Sequence, residues 1–399
     1  MKRLAPLFAL ASCATVPVDS PIPPPRVAVA FDVNGERGAL AEGFADPAAG
    51  RAVTPDDPVR VASVSKLVVA VGVMRLVEQG KLDLDEDVSS KLGWKLRNPA
   101  FPDRPVTLRQ LLSHTSSVRD HDDQYAIPLG GSVRAVLADP DSWDARHGPG
   151  GSYFTYSNLN FTIVASVVEM ATGERFDLLM KRLVIDPMKL DACFNWPTCS
   201  DTRVASAIVL MQGGEAVRDD LHGIRPECPV FVKEGPCDLA RWRLGENGAL
   251  FAPQGGLRIS ARGLARVGRM LLSNGMIDGQ RILSQQSVEA LLRSAWTFDG
   301  ANGDTDHGFY CRYGLATQRL ATRQAGCADD PEGKGRQWVG HAGEAYGLRS
   351  GIWIDPNSGV GIAYFVTGLT DDPPRGRSAF RAAEERIFND AVRLSKARK

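Results

Sequence analysis

Apolar positions crowd most densely between Ser63 and Gly80. Val64, Leu67, Val68, Val69, Val71, Val73, Met74, Leu76 and Val77 leave almost no polar face for two turns. A helix apolar nearly all round is a buried helix, and Gly80 is the residue type that ends helices most readily. Around it, Arg26 to Asp46 predicts a β-hairpin turning at Asn34-Gly35. Pro58 to Ala62 predicts a short extended run into the helix, and Val106 to Ser113 a short helix. Helical periodicity covers 158–187 with a break at Thr172-Gly173, and amphipathic helices are expected at Ala261 to Ser273 and Ser284 to Ser294. The chain then returns to strands at Leu348 to Ile354 and Val360 to Thr367, with a turn over 355–359, before a last helix from Ser378 to Leu394.

Strands at both ends with helices between predict an α/β (α+β) fold. An antiparallel sheet built from the two chain ends is flanked by helices, with a mainly helical lobe inserted in the middle. The expected sheet lobe covers about 26–90 and 300–394, and the helical lobe about 91–299, within one domain over 26–394. No internal repeat is visible. Within the helical lobe, 193–246 lacks clear periodicity and carries four cysteines, as a stapled insertion would.

Two polar residues at the mouth of the buried helix do not suit a core. Ser63 and Lys66 are three apart and therefore share a face of the first turn. A serine hydroxyl becomes a strong nucleophile only when a base takes its proton. A lysine serves as that base when burial or cationic neighbours bring its pKa down from about 10.4. The helix N-terminus adds free N–H groups that favour a developing anion.

Composition narrows the classes. Lysine plus arginine equal aspartate plus glutamate, 47 against 47, which gives no electrostatic case for nucleic acid. Residues 395–399 read as a solvated basic tail. At the other end, Met1-Lys2-Arg3 is a basic start, Leu4 to Ala11 a short apolar stretch, and Leu10-Ala11-Ser12-Cys13 fits a bacterial lipobox. Residues 1–12 are thus expected to be a signal peptide, Cys13 the lipidated residue, and 13–25 a proline-rich tether. The expected location is the outer membrane facing the periplasm, or the soluble periplasm. Export suits the other six cysteines, Cys193, Cys199, Cys228, Cys237, Cys311 and Cys327. Closure of short loops favours the pairs 193–199, 228–237 and 311–327. A zinc site is disfavoured because no spacing is Cys-x-x-Cys and no histidine pair accompanies them. At His121-Asp122-Asp123 a solvated loop is preferred to a metal site.

Two further motifs each occur once: Tyr156-Ser157-Asn158 before a helix, and His341-Ala342-Gly343 before the Leu348 run. With Ser63-x-x-Lys66, and in this order, the chain resembles the serine β-lactamase and penicillin-binding superfamily. The likeness is to its class C β-lactamase, D-alanyl-D-alanine peptidase and esterase branch. It extends through VRVASVSK, LLSHTSS, YFTYSNLNF, PQGGLRIS and GHAGEAYGLRSGIWIDP.

The resemblance implies a β-lactamase/transpeptidase-like fold and a cofactor-free, metal-free covalent acyl-enzyme. Ser63 is the implied nucleophile, and Lys66 and Tyr156 the proton-handling pair, either of which is the base. Asn158 would bond Lys66 or a substrate amide. The backbone N–H groups of Ser63 and Glu344 would form the oxyanion hole beside Gly343. His341, standing where β-lactamases usually carry lysine, would bind a substrate carboxylate or oxygen or tune Tyr156. That departure favours a small-ester or D-Ala-type peptide hydrolase over a β-lactamase. A penicillin- or cell-wall-recognising protein with little turnover is the non-enzymatic alternative. Ser117 departs as well, standing where glycine is more usual.

Overall fold

The computed structural model describes residues 25–396. The expected signal peptide, the expected lipidation at Cys13, the expected tether up to residue 24, and residues 397–399 lie outside the described residues.

Both chain ends meet in one sheet, as expected. β1 (Arg26–Asp32) pairs antiparallel with β2 (Gly35–Glu42) on one side. The hairpin turn between them is tied by Asp32, whose carboxylate accepts from the N–H of Asn34 at 2.7 Å and of Gly35 at 3.1 Å. The remaining strands are β3 (Trp296–Thr297), β4 (Arg312–Tyr313), β5 (Gln318–Arg319), β6 (Val339–Ala345), β7 (Leu348–Asp355) and β8 (Val360–Val366). β8 pairs with the other edge of β1, Arg26 opposite Val366. The sheet order is β3-β4-β5-β6-β7-β8-β1-β2.

The side-chain period of two sorts β1 between two cores. Val27, Val29 and Phe31 join the larger core, whereas Ala28 and Ala30 join a second one with Ile362 and Phe388. Helices cover both faces, so the strand reads as a continuous apolar run.

The helices that matter for the site are α1 (Ser65–Glu78), α2 (Leu108–Leu112), α3 (Leu159–Thr172), α4 (Phe176–Met180), α5 (Ala261–Leu272), α6 (Gln285–Leu292) and α7 (Ala382–Lys396). α1 is buried along nearly its whole length, as its apolar circumference predicts. Gly173, at φ +74°, ends α3 where the break was expected.

Four details differ from expectation. β6 is a full strand that carries the His341-Ala342-Gly343 motif, where the sequence placed a strand only from Leu348 onward. Its glycines and alanines lack a strand pattern, but it pairs with β7 at every position from Val339 to Ala345. α5, placed by sequence in the inserted lobe, instead packs against β1, β7 and β8, where Gly268 abuts the Phe31 ring. α7 starts at Ala382 rather than Ser378. The Glu385 carboxylate accepts from the N–H groups of Arg377 and Ser378, which holds those residues outside the helix. α7 also runs to Lys396 and takes in the start of the expected basic tail. The cysteines pair as 193–199, 228–237 and 311–327.

Candidate active site

Ser63 sits in a single 3-10 turn, Ala62–Val64, that leads directly into α1. The turn forces Ala62 to φ +46°, a left-handed backbone that costs a non-glycine residue about 1–3 kcal/mol and persists only where its surroundings over-determine it. Two serines supply that constraint. Ser65 Oγ donates to the Ala62 carbonyl at 2.6 Å and accepts from Leu257 N–H at 3.0 Å. Ser350 Oγ, from β7, donates to the Val61 carbonyl at 2.9 Å.

One turn further on, Lys66 is completely buried. Its Nζ lies 3.0 Å from Ser63 Oγ and donates to Asn158 Oδ1 and to the Gln254 carbonyl, both at 2.8 Å. Burial lowers its pKa to about 7, against the opposing pull of the Asp120 carboxylate. That shift from 10.5 corresponds to roughly 5 kcal/mol at 1.36 kcal/mol per unit. Each buried valine or leucine contributes about 1.5–3 kcal/mol, so a few of the apolar neighbours along α1 offset it.

Asp120 was not picked out from sequence, yet it organises the start of α3. Its carboxylate accepts from Asn158 N–H at 2.7 Å, Leu159 N–H at 2.9 Å, Ser157 Oγ at 2.8 Å and Asn158 Nδ2 at 3.0 Å. An acid at a helix N-terminus satisfies the free N–H groups there. With Nδ2 so engaged, the Asn158 amide must turn its oxygen to Lys66.

The Tyr156 ring stacks between His114, at 4.4 Å, and Tyr310, at 4.7 Å and 11°. Lys66 Nζ lies 4.9 Å from its centroid. Burial pushes the Tyr156 phenol well above 10; the nearby Ser63 and Tyr310 hydroxyls pull the other way, and the Asp120 charge adds to the rise. The Tyr156 hydroxyl is buried and makes no well-aligned hydrogen bond. His114, at φ +56°, accepts at Nδ1 from Ser157 N–H and Asn160 Nδ2, both 3.1 Å away.

β6 closes the site. A Cβ on Gly343 would lie 2.4 Å from both the Val61 carbonyl oxygen and Ser350 Oγ, and 3.3 Å from the Ser63 amide nitrogen. Only glycine lets the strand run this close to the Ser63 turn. Glu344 follows, its carboxylate paired with Arg349 at 2.5 Å and facing the cavity.

His341 corrects one expectation. It is 1% exposed and absent from the cavity wall. Its Nε2 lies 2.7 Å from the Tyr313 hydroxyl, and Nδ1 meets the Ala342 carbonyl. Burial, reinforced by the nearby Lys66 charge, lowers its pKa to about 3. A shielded, neutral imidazole does not bind a substrate carboxylate; its place is between β4 and β6.

Ser63, Tyr156, Asn158, Gly343 and Glu344 thus meet at one cavity of about 650 Å³, with Lys66 behind Ser63. The lining includes the largely apolar side chains of Tyr125, Ile127, Phe231 and Leu250 and the charged ones of Arg349, Arg375 and Arg381. Phe231 comes from the loop closed by Cys228–Cys237, so the insertion forms part of the wall. Among the described residues no group of three His, Cys, Asp or Glu side chains converges to hold a metal ion. Asp120, Gln254, His114, Tyr310 and Tyr313 were missed because each acts through tertiary proximity. Gln254, 188 residues from Lys66, contributes only a backbone carbonyl.

Comparison with known proteins finds relatives along most of the chain. A family model described as beta-lactamase matches residues 25–386. Penicillin-binding protein 4 of Amycolatopsis lactamdurans is 27% identical over 359 residues, covering 86% of this chain and 81% of its own length. Esterase EstB of Burkholderia gladioli is 32% identical over 171 residues, covering 38% of this chain and 42% of the esterase. The structure of a class C beta-lactamase from Rhodobacter sphaeroides superposes with a TM-score of 0.66 at 15% identity, over 94% of this chain and 95% of that one. That last likeness is one of fold.

Proposed function

The chain belongs to the beta-lactamase family of serine hydrolases, and on that premise we propose that Ser63 forms a covalent acyl-enzyme with Lys66 as its base. The observation that carries the assignment is the bonding of Lys66. A neutral amine has two N–H donors and one lone pair. Asn158 Oδ1 and the Gln254 carbonyl take the two donors, which leaves the lone pair for the Ser63 proton. The pKa values separate in the same sense, Lys66 lowered to about 7 and Tyr156 raised. Groups pushed apart in this way divide the roles of base and acid.

Ser63 Oγ attacks the acyl carbon as its proton passes to Lys66. The oxyanion is received by the N–H groups of Ser63 and Glu344, a pairing that Gly343 supports by letting β6 approach. Tyr156, neutral, protonates the leaving group and regains its proton from Lys66. Water then cleaves the acyl-enzyme and restores Ser63.

The preferred substrate is a small ester or a D-Ala-type peptide. The neutral, buried His341 favours this reading, because it places no charge where a β-lactamase usually has lysine. A class C-like β-lactamase is the second reading, and a penicillin-recognising protein with little turnover the third. The three disulfides support export. A lipid at Cys13 would place the enzyme on the periplasmic side of the outer membrane.

A time course of intact mass with benzylpenicillin, beside hydrolysis of short-chain esters, separates these readings. Ester turnover with little drug hydrolysis is expected. Rapid clearance of a penicilloyl adduct would instead make it a β-lactamase, and a lasting adduct without ester turnover a penicillin-binding protein.

A further inference from the structure

The third disulfide lies beside the site rather than in the insertion. Cys311 follows Tyr310, whose ring lies parallel to Tyr156, and precedes by two residues Tyr313, whose hydroxyl bonds His341 on β6. The turn leading into Tyr310 is under strain: Asp306, His307 and Gly308 have φ of +45°, +57° and +86°. Three left-handed residues in succession, two of them not glycine, do not hold that shape unaided.

The segment around Cys327 holds it. Ala328 N–H donates to the Gly308 carbonyl at 2.9 Å. A Cβ on Gly308 would lie 2.5 Å from the Gly326 carbonyl oxygen and 2.7 Å from the Ala328 nitrogen, so the two segments touch through backbone alone. The Cys311–Cys327 bridge joins them covalently. On the other side of Tyr310, Phe309 packs against Phe380 at 4.7 Å.

Tyr156 depends on this wall. Its hydroxyl lies near those of Ser63 and Tyr310 but forms no well-aligned hydrogen bond to fix the ring, so its orientation rests on the His114 and Tyr310 stacks. His114 is itself fixed by two bonds from the start of α3, which leaves Tyr310 as the face that a local rearrangement would release.

We propose that Tyr310, held in place by the Cys311–Cys327 bridge, is a positioning residue that aims the Tyr156 hydroxyl at the leaving group. The inference rests on the acid role given to Tyr156 above. It makes the bridge part of the catalytic support, with a function apart from global stability.

A leaving-group comparison tests it. p-Nitrophenolate departs without a proton, whereas an alkoxide such as ethoxide requires one, so only the ethyl ester depends on Tyr156 as acid. In Tyr310→Ala, kcat for an ethyl ester should fall about 100-fold, the scale of a misplaced catalytic group, while turnover of the p-nitrophenyl ester with the same acyl group stays near wild type. Tyr310→Phe, which keeps the ring, should restore most of the ethyl-ester rate. The double variant Cys311→Ser/Cys327→Ser should show the same selective loss as Tyr310→Ala. Equal loss on both esters would mean general damage and overturn the proposal, as would no loss on either. A wild-type protein inactive on both esters would instead defeat the hydrolase reading beneath it.

Discussion

Lys66 is the proposed base, and its surroundings ease the loss of its proton. Buried beside Ser63 with its pKa lowered to about 7, it is a working base only when unprotonated. Activity should therefore fall as pH falls through that value, and kcat/KM should show an acid limb with its midpoint near 7. In Lys66→Arg, where the guanidinium stays charged, kcat/KM should drop by about 10²–10⁴ and the limb should vanish. An unchanged profile in that variant would remove Lys66 from the mechanism. The same shift has a stability consequence. Between pH 7 and 10.5 the unfolded chain holds a proton that the folded one has lost, so this residue's contribution to stability rises with pH across that window and is absent below it. Ser63 and Lys66 stood out in sequence as polar side chains at the mouth of an apolar helix, whereas Tyr156 and Asn158 stood out only through the family resemblance. Asp120 and His114 did not, since nothing in their own neighbourhoods marks what they will touch.

At the scale of elements, β6 shows where pattern reading stops. Gly340, Ala342, Gly343 and Ala345 carry no strand signal, yet small residues are what the position demands. A Cβ at Gly340 would lie 1.8 Å from the Ile352 carbonyl oxygen, and one at Gly343 would meet the nucleophile turn. Gly343→Ala should push β6 away from Ser63 and weaken the donor at Glu344. We expect kcat/KM to fall about 10²–10³-fold, the usual effect of losing one oxyanion donor. Kinetics on a small ester would check this, and wild-type rates would show that the strand does not need the close approach. The buried helix α1 and the β1–β2 hairpin were readable for the opposite reason: a long apolar run is a strong local signal, and Asn34-Gly35 marked the hairpin, although the turn itself is Val33-Asn34 and Gly35 opens β2. Ser117 lies between these cases. Its φ of +67° accounts for the glycine more usual there, and its Oγ accepts from Asn98 Nδ2 at 3.1 Å.

Over the whole molecule, the nucleophile turn is where distant parts of the chain converge. β6 and β7 come from the C-terminal end, the Gln254 carbonyl from the segment before α5, and Asn158 from the start of α3. Strands at both ends with helices between made the meeting of the ends foreseeable. That α5 packs on the sheet rather than in the inserted lobe was not, because an amphipathic pattern says that a helix has a partner without naming it. The short disulfide loops were readable from spacing, whereas the place of Phe231, inside one loop, and of Tyr310, just before another, on the cavity walls follows only from the fold. All of this converges on one atom, Ser63 Oγ. The most direct test is intact mass and peptide mapping after reaction with a fluorophosphonate, for wild type and Ser63→Ala. The account predicts a single adduct on the peptide containing Ser63, lost in the variant while its melting temperature stays near wild type. An adduct on another residue, or undiminished labelling of the variant, would contradict it.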